Sequence, residues 1–479
     1  MQRKFITNLA LLLFLNLLIK PFWILGIDRE VQNVVGAQSF GLYYALFNFS
    51  FLLNALLDIG ITNFNNKNIA QNTHLLTKHF SNIIGLKFIL AIFYAIITLI
   101  LAFIIGYKGG EIKMLIVLIF NQFLISFVLY LRSNITGLHL FKTDSLISVL
   151  DRLIMIIISV ALLWGNINGS EYKIEWFIYT QTAGYAITAL IAFIVVFYKA
   201  ESFKLTWSKP FFISILKQSY PFALLILLMM IYGKMDTIIM ERILPDGAEQ
   251  TGIFAQAYRL LDAANMIGFL FAGLLLPLFA RMIKLEERIN ELVNLSLSLI
   301  LSLAVISATG SFFYRYELMD LLYKEHILES SNVFGVLMFS FVAISVTYIF
   351  GTLLTANGNL KQLNWLAALG VVLNIILNFF LIPKYYALGA AIAGLFTNSI
   401  IALIQVVIAG LIFKFKVNYT LISKLLLFSA GVIGIAYCST ILPFAWILKF
   451  LLMVSLSVVW AFITRFLSIR SIYRIIKHG

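Results

Sequence analysis

Fourteen apolar stretches, most of them about twenty residues long, follow one another along this chain of 479 residues, with only short polar links between them. They lie near 5–27, 39–61, 87–107, 114–132, 145–165, 176–198, 213–240, 251–280, 292–314, 332–356, 363–383, 387–413, 420–443 and 447–468. A helix needs roughly 20 apolar residues to cross the hydrocarbon layer of a bilayer. Lipid offers the backbone no hydrogen-bond partners, so each lipid-exposed crossing must satisfy its own peptide groups as a helix or close into a barrel. Stretches of this length predict an all-α integral membrane protein. Composition agrees: 62% of residues are hydrophobic and 12% charged, with a mean hydropathy of +0.98. A water-soluble domain of this size carries about twice that charge. The first stretch lacks a small-residue cleavage site and is expected to be a retained helix rather than a signal peptide.

Lys and Arg placement sets the expected orientation. With the N-terminus cytoplasmic, and six intramembrane cations set aside, twenty Lys and Arg fall in inner segments against nine in outer ones. Most outer links are acidic, as at Glu171, Glu175, Glu241, Asp246, Glu249, Glu317, Asp320, Glu325 and Glu329. Both termini are then cytoplasmic, which requires an even number of spans. The net charge of +14 reads as inner-face charge against anionic lipid, not as a nucleic-acid surface. The single cysteine, Cys438, lies in an apolar span and excludes an intramolecular disulfide. The five His form no pair at metal-ligand spacing within a span, and no cofactor is expected. The longest link, about 63–80, is too short for a soluble catalytic domain, so the chain is expected not to be an enzyme.

Ten ionisable side chains sit inside the apolar stretches: Lys20, Asp58, Arg132, Asp151, Arg152, Lys217, Lys234, Asp236, Arg259 and Asp262. A charge at bilayer depth costs a few kcal/mol and is tolerated in a bundle interior or a wet cavity. Their number points to a polar path and hence to a transporter. By position, Lys20, Lys234, Asp236, Arg259 and Asp262 form an outer belt. Asp58, Arg132, Asp151, Arg152 and Lys217 lie near inner ends, with Arg132 and Lys217 expected to snorkel. Arg259 and Asp262, three apart, share a helix face. Lys234 and Asp236 do not, and neither do Asp151 and Arg152, which are expected to address different neighbours.

Pro21-Phe22 in the first span recurs as Pro221-Phe222 in the seventh, and Gly41-Leu42-Tyr43 in the second as Gly252-Ile253-Phe254 in the eighth. The order suggests duplicated halves: lobes 1–200 and 201–415, followed by two appended helices and a basic tail at 416–479. The run Met235-Asp236-Thr237-Ile238-Ile239, then Thr251-Gly252-Ile253-Phe254-Ala255-Gln256-Ala257-Tyr258-Arg259, then Leu276-Pro277 closing the eighth span, resembles the bacterial polysaccharide flippases of the multidrug/oligosaccharidyl-lipid/polysaccharide superfamily. Phe254 stands where that family has Tyr. The block Leu373-Asn374 to Pro383, followed by Gly389-Ala390-Ala391, and the block Val35-Gly36 to Asp58-Ile59-Gly60 also fit.

The resemblance implies a flippase that moves a lipid-pyrophosphate-linked oligosaccharide, such as an O-antigen repeat unit of lipopolysaccharide, across the bacterial inner membrane by alternating access. Membrane lipids and glycan-assembly proteins would be its partners. Lys20, Lys234 and Arg259 are the expected phosphate ligands, since Arg offers a fork for phosphate oxygens. Asp236, Asp262, Asp58, Asp151 and Arg152 are expected in coupling or ion pairs. A multidrug or cation antiporter of the same superfamily is the first rival; six intramembrane cations against four carboxylates speak against a cation-binding cavity. A membrane polymerase or glycosyltransferase is the second. For the topology, cysteines at Ala248 and Ser330 in a Cys438→Ser background are expected to react with an impermeant thiol reagent in intact cells, and cysteines at Asn72 or Lys204 are not.

Overall fold

The computed structural model of the protein describes residues 15–16, 18–62, 65–66, 69, 75–165, 172–200, 209–415 and 418–467. Among them all regular structure is helical. A π-helical turn, Trp23–Asp28, leads into α1 (Arg29–Leu52), followed by α2 (Ala55–Asp58), α3 (Leu75–Ile105), α4 (Gly110–Gly137), α5 (Phe141–Trp164), α6 (Ile174–Ala200) and α7 (Lys209–Ile243). Then come α8 (Gly247–Lys284), α9 (Asn290–Phe313), α10 (Arg315–Leu322), α11 (Ile327–Ala356), α12 (Leu360–Phe413), α13 (Tyr419–Ile441) and α14 (Trp446–Ile463).

Ten helices among the described residues are long and apolar enough to cross a membrane. One of them, α12, has 54 residues, which at ~1.5 Å per residue is too long for one crossing. It breaks at Tyr386 (φ 54°, ψ −135°), just past Pro383, and so serves as spans eleven and twelve. A Cβ on Gly389 would collide with the carbonyl oxygen of Leu381, so only glycine lets the chain reverse this tightly. With α1, α7 and the N-terminal segment, which is described only from Leu15, the spans number fourteen. Pro277, expected to close the eighth span, does not: α8 runs through it to Lys284. Burial of small and polar faces against exposed Phe, Leu and Ile is the pattern of helices that meet lipid outside and each other inside.

The chain forms two compact units, Met1–Gly252 and Ile253–Gly479. In the first, α6 packs on α4 and α5, and α1 packs on α4 and α7. Residues 209–252 therefore sit with the first unit, although the repeat suggests a lobe boundary near 200. In the second unit, α11 packs on α12 and α9, and the α13–α14 pair lies on α9. Tyr314 Oη bonds Ser439 Oγ at 2.7 Å there, tying α13 to the end of α9.

The tightest contact of the first unit joins α1 to the start of α8. Ala37 and Gly41 are four apart, as are Ala248 and Gly252. A Cβ on Gly41 would overlap the carbonyl oxygen of Ala248, and one on Gly252 the carbonyl oxygen of Ala37. The Gln32 side chain donates to the Gly252 carbonyl at 2.9 Å. This is a small-xxx-small crossing, in which missing side chains let two backbones touch. α1 reaches it through Gly36, whose φ of 79° breaks the helix just before Ala37.

Ala248 lies in this contact and Ser330 is fully buried, while Asn72 and Lys204 lie outside the described residues. The labelling test is therefore better read at Pro245 and Lys324, expected outside, and at Glu287, expected inside; all three are exposed. Gly41→Val or Gly252→Val should lower the thermal unfolding midpoint of the purified protein, consistent with an overpacking cost of about 1–3 kcal/mol or more. Gly434→Ala, where nothing lies within 4 Å of the added carbon, should leave it unchanged.

Candidate functional site

The charged centre of the first unit is built where the first span lies along α5. Asn16 Nδ2 donates to Ser148 Oγ at 3.1 Å, and four residues further on each helix bring Lys20 level with Arg152. Arg152, Asp151 and Arg132 all act electrostatically on Lys20. Immediately after Lys20 the sequence Pro21-Phe22 leads into the π-helical turn Trp23–Asp28. Proline removes a helical N–H, and π-turns are frequent where helices carry functional groups. The turn brings the indole of Trp23 under the Arg152 guanidinium, 5.4 Å from its centre, and Tyr185 of α6 lies 5.6 Å from it. Trp23 is in turn stacked on Phe177 at 5.5 Å. Gln181 donates to Tyr43 Oη at 2.6 Å, fixing the ring that packs edge-on against Phe177.

Two acid–base contacts here differ in kind. Arg132 makes a forked pair with Asp144, Nε to Oδ1 at 2.7 Å and Nη2 to Oδ2 at 3.1 Å. Arg152 holds Asp151 only loosely: Nε stands 3.8 Å from Oδ2, while Oδ1 accepts from the Arg152 backbone N–H at 2.8 Å. Lys20 closes no ion pair among the described residues. Arg132, Ser148, Asp151 and Tyr185 line a small cleft of ≈ 60 Å³. Once the Arg132–Asp144 pair is set aside, two cations share one carboxylate.

Three expectations are corrected by this cluster. Lys20 does not stand in a belt apart from Asp151 and Arg152. Helix α5 begins at Phe141, which places Asp151 about 15 Å along it, nearer the middle of the helix than its end. Asp151 and Arg152 do not separate fully, because Arg152 Nε stays 3.8 Å from Asp151 Oδ2 while its guanidinium lies against Trp23 and Tyr185. Arg132 does not simply snorkel, since Asp144, counted from sequence as lying before the fifth span, is the fourth residue of α5.

Asp58, expected in a coupling or ion-pair role, meets a cation that sequence reading placed at the cytoplasmic edge. Lys87 is 1% exposed because α3 begins twelve residues before it. Its three ammonium protons go to Asp58 Oδ1 (2.5 Å), Leu57 O (3.0 Å) and Ser126 Oγ (3.0 Å). Asp58 also accepts from Thr62 N–H and Oγ–H. Every donor is used, so this pair is a structural lock. Asn65, in the link after the second span, is likewise buried and donates to Ser133 Oγ and Asn134 Oδ1, both at 2.9 Å.

On α7, Asp236 is 6% exposed and Lys234 only half-buried, as their spacing of two requires. Thr237 between them and the packing face accepts from Asn48 of α1 at 3.2 Å. Arg259 of α8 is 3% exposed; Asp262, one turn on, acts on Tyr348 of α11. Asn374 and Asn378 share a buried face, Asn378 donating to Asn374 at 2.9 Å. The side chain of Lys217 lies outside the described part. At the expected outer end Arg242 bonds Glu241 (2.6 Å) and Glu111 (3.0 Å) and stands 3.7 Å over Tyr107. Sequence reading had treated these as loop charges.

Fold and apolar length together define an all-α, multi-pass membrane protein. Residues 30–283 match the family model described as "Polysaccharide biosynthesis protein", and the chain belongs to that family. No curated protein sequence matches it. Among solved structures, the lipid II flippase MurJ in an inward closed conformation superposes with a TM-score of 0.73 at 15% identity, over 96% of this chain and 99% of that one. An inward-facing multidrug resistance MATE family transporter of the MOP superfamily gives 0.63 at 16%, over 85% and 97%. A MOP superfamily transporter from Pyrococcus furiosus, whose binding pocket is described as of reverse polarity, gives 0.60 at 16%, over 85% and 94%. At these identities the likeness shows the shared fold.

Lys87→Met should destabilise the protein by about 3–5 kcal/mol, the usual cost of orphaning a buried charge, with a large drop in the yield of folded protein from membranes. Lys87→Met with Asp58→Asn should recover part of that yield.

Proposed function

We propose that the protein is a flippase that carries a lipid-diphosphate-linked oligosaccharide from the inner to the outer leaflet of the bacterial cytoplasmic membrane. The observation that carries this reading is the pair Lys20 and Arg152, two cations within apolar helices that act on each other and on one loosely held carboxylate, Asp151. Unpaired positive charge at that depth is costly, and a diphosphate is the anion that the family's polysaccharide precursors would bring. Arg152 lies over Trp23 and donates from Nη1 to the weakly accepting sulfur of Met155, at 3.4 Å, a bond that a phosphate oxygen would displace. Lys234 and Arg259 are further candidate phosphate ligands, and Asp236 and Asp262 are candidates for orienting those cations or carrying a coupling proton.

Transport would follow alternating access between the two repeat-related lobes, 1–200 and 201–415. The appended helices would shield the lipid tail: α13 and α14 enclose an apolar cleft of ≈ 470 Å³ lined by Gly431, Gly434, Ile435, Leu452, Leu456 and Trp460, among others. Both termini would be cytoplasmic, and enzymes that build and polymerise the glycan would be the functional partners. A cation antiporter needs an acidic site, whereas the first-unit cluster holds three cations to two carboxylates.

In proteoliposomes, a fluorescent lipid-diphosphate oligosaccharide should cross leaflets with the wild-type protein, and at least tenfold more slowly with Lys20→Ala or Arg259→Ala. Arg259→Lys should retain partial activity, because charge survives without the fork. Full activity of the Arg259→Ala, Asp262→Ala double variant would reduce Arg259 to a counter-ion. Organic-cation transport without lipid movement would overturn the flippase reading.

A further inference from the structure

We propose that Asp151 is a resident counter-charge of the diphosphate site: it stands in for the substrate while the site is empty and opposes the substrate once bound, so that it sets the rate of release. This rests on the flippase reading above and goes beyond it by giving one residue a role in letting go rather than in binding.

The argument starts from the contrast between two carboxylates in one cluster. Asp144 saturates its arginine with two short bonds in a fork, the geometry of a committed pair. Asp151 is turned away from its arginine, with Oδ1 held by the neighbouring backbone N–H at 2.8 Å and Oδ2 at 3.8 Å from Nε. At that separation the carboxylate lowers the potential of the site without occupying the guanidinium donors. It acts on Lys20 as well, so one negative charge serves two cations. Trp23 and Tyr185 lie against the guanidinium, and its Nη1 donates to Met155 Sδ at 3.4 Å, a weak acceptor that a phosphate oxygen would displace. The Asp151 main chain cannot swing aside easily: its carbonyl oxygen lies 3.0 Å from where a Cβ on Gly184 of α6 would be, so the two helices are in close contact there.

A carrier gains nothing from uniform tightness, because binding that is equally strong in every state slows turnover. Two bare cations in a low-dielectric site would hold a diphosphate strongly and would themselves be costly when the site is empty. A carboxylate at fixed distance answers both problems. It neutralises part of the empty site, and it repels the bound diphosphate.

The test is calorimetric titration of the full-length purified protein with inorganic pyrophosphate, paired with the leaflet-crossing assay. Asp151→Asn should bind pyrophosphate at least tenfold more tightly, and its transport should show a lowered KM together with a lowered kcat. Asp151→Glu should restore wild-type values, which a purely packing role would not predict. Asp151→Ser offers the same charge removal should the amide disturb folding. If wild type binds pyrophosphate through Lys20 and Arg152, but charge removal at 151 leaves affinity unchanged or weakens it, Asp151 merely orients Arg152; the inference fails and the flippase reading stands. If wild type shows no pyrophosphate binding and Lys20→Ala transports normally, the phosphate reading fails and this inference with it.

Discussion

The cost of placing charge in hydrocarbon governs this chain more than any other constraint. An isolated ionised side chain at the centre of a bilayer-spanning helix costs a few kcal/mol, and the first unit holds Lys20, Asp58, Lys87, Arg132, Asp144, Asp151 and Arg152 besides the three on α7, Lys217, Lys234 and Asp236. Two pairs resolve the cost completely: Lys87 exhausts its three donors on Asp58, Leu57 and Ser126, and Arg132 is matched fork to fork with Asp144. Both pairs join elements that the short links alone would not hold, the broken inner end of the second span to α3 and α4 in one case and the α4–α5 hairpin in the other. Against these solved pairs, the looser Lys20, Asp151 and Arg152 group is the exception. That difference, more than the number of charges, separates a site from a scaffold.

The same economy shapes the backbone. Where lipid forbids unsatisfied peptide groups, a helix can break only if something else takes its bonds. Span two breaks after Leu52, and Tyr94 Oη bonds the Ser50 carbonyl at 2.7 Å while Asn54 reaches Gln122 at 2.7 Å. Close helix contact then replaces hydrophobic drive, which lipid cancels. The crossing of Ala37 and Gly41 with Ala248 and Gly252 is the clearest case. Gly41-Leu42-Tyr43 and Gly252-Ile253-Phe254 were paired first as repeated sequence, and their glycines now prove to lie in one contact.

Span number and position were legible from apolar length, because the bilayer imposes that length on every crossing. Helix ends were not, since α3 and α5 extend well beyond their apolar cores. That single error hid Lys87 and Asp144, both read as link residues, and so hid the partners of Asp58 and Arg132. Sequence could have flagged Asp144 as an acid within one hairpin of Arg132. Lys87 carried no comparable signal, because only the third dimension brings it to Leu57 and Ser126. Lys20 was assigned to an outer belt apart from Arg152, whereas the two act on each other across the first span and α5. Helical-wheel angles describe where a Cβ points, whereas an Arg side chain is long enough to reverse that direction and lie against Trp23.

Arg152 shows why such a residue is worth its desolvation cost. A guanidinium between two aromatic rings gains attraction from both, and Arg152 Nη1 donates to the weakly accepting Met155 sulfur, so stabilising the cation and presenting it to a ligand compete little. Lysine has no such flat face. Its ammonium is satisfied only by direct donors, as Lys87 shows, or by a nearby anion, and in the first span Lys20 has the second option alone. A site made of one stacked arginine and one lysine is therefore asymmetric: the arginine is stable when empty, and the lysine is the member whose charge is left for an incoming anion. The π-helical turn after Pro21 makes this possible, because it carries Trp23 beneath Arg152 without moving Lys20 off the α5-facing side. The irregularity in the first span is thus the local price of placing an aromatic support and a cation three residues apart on one site.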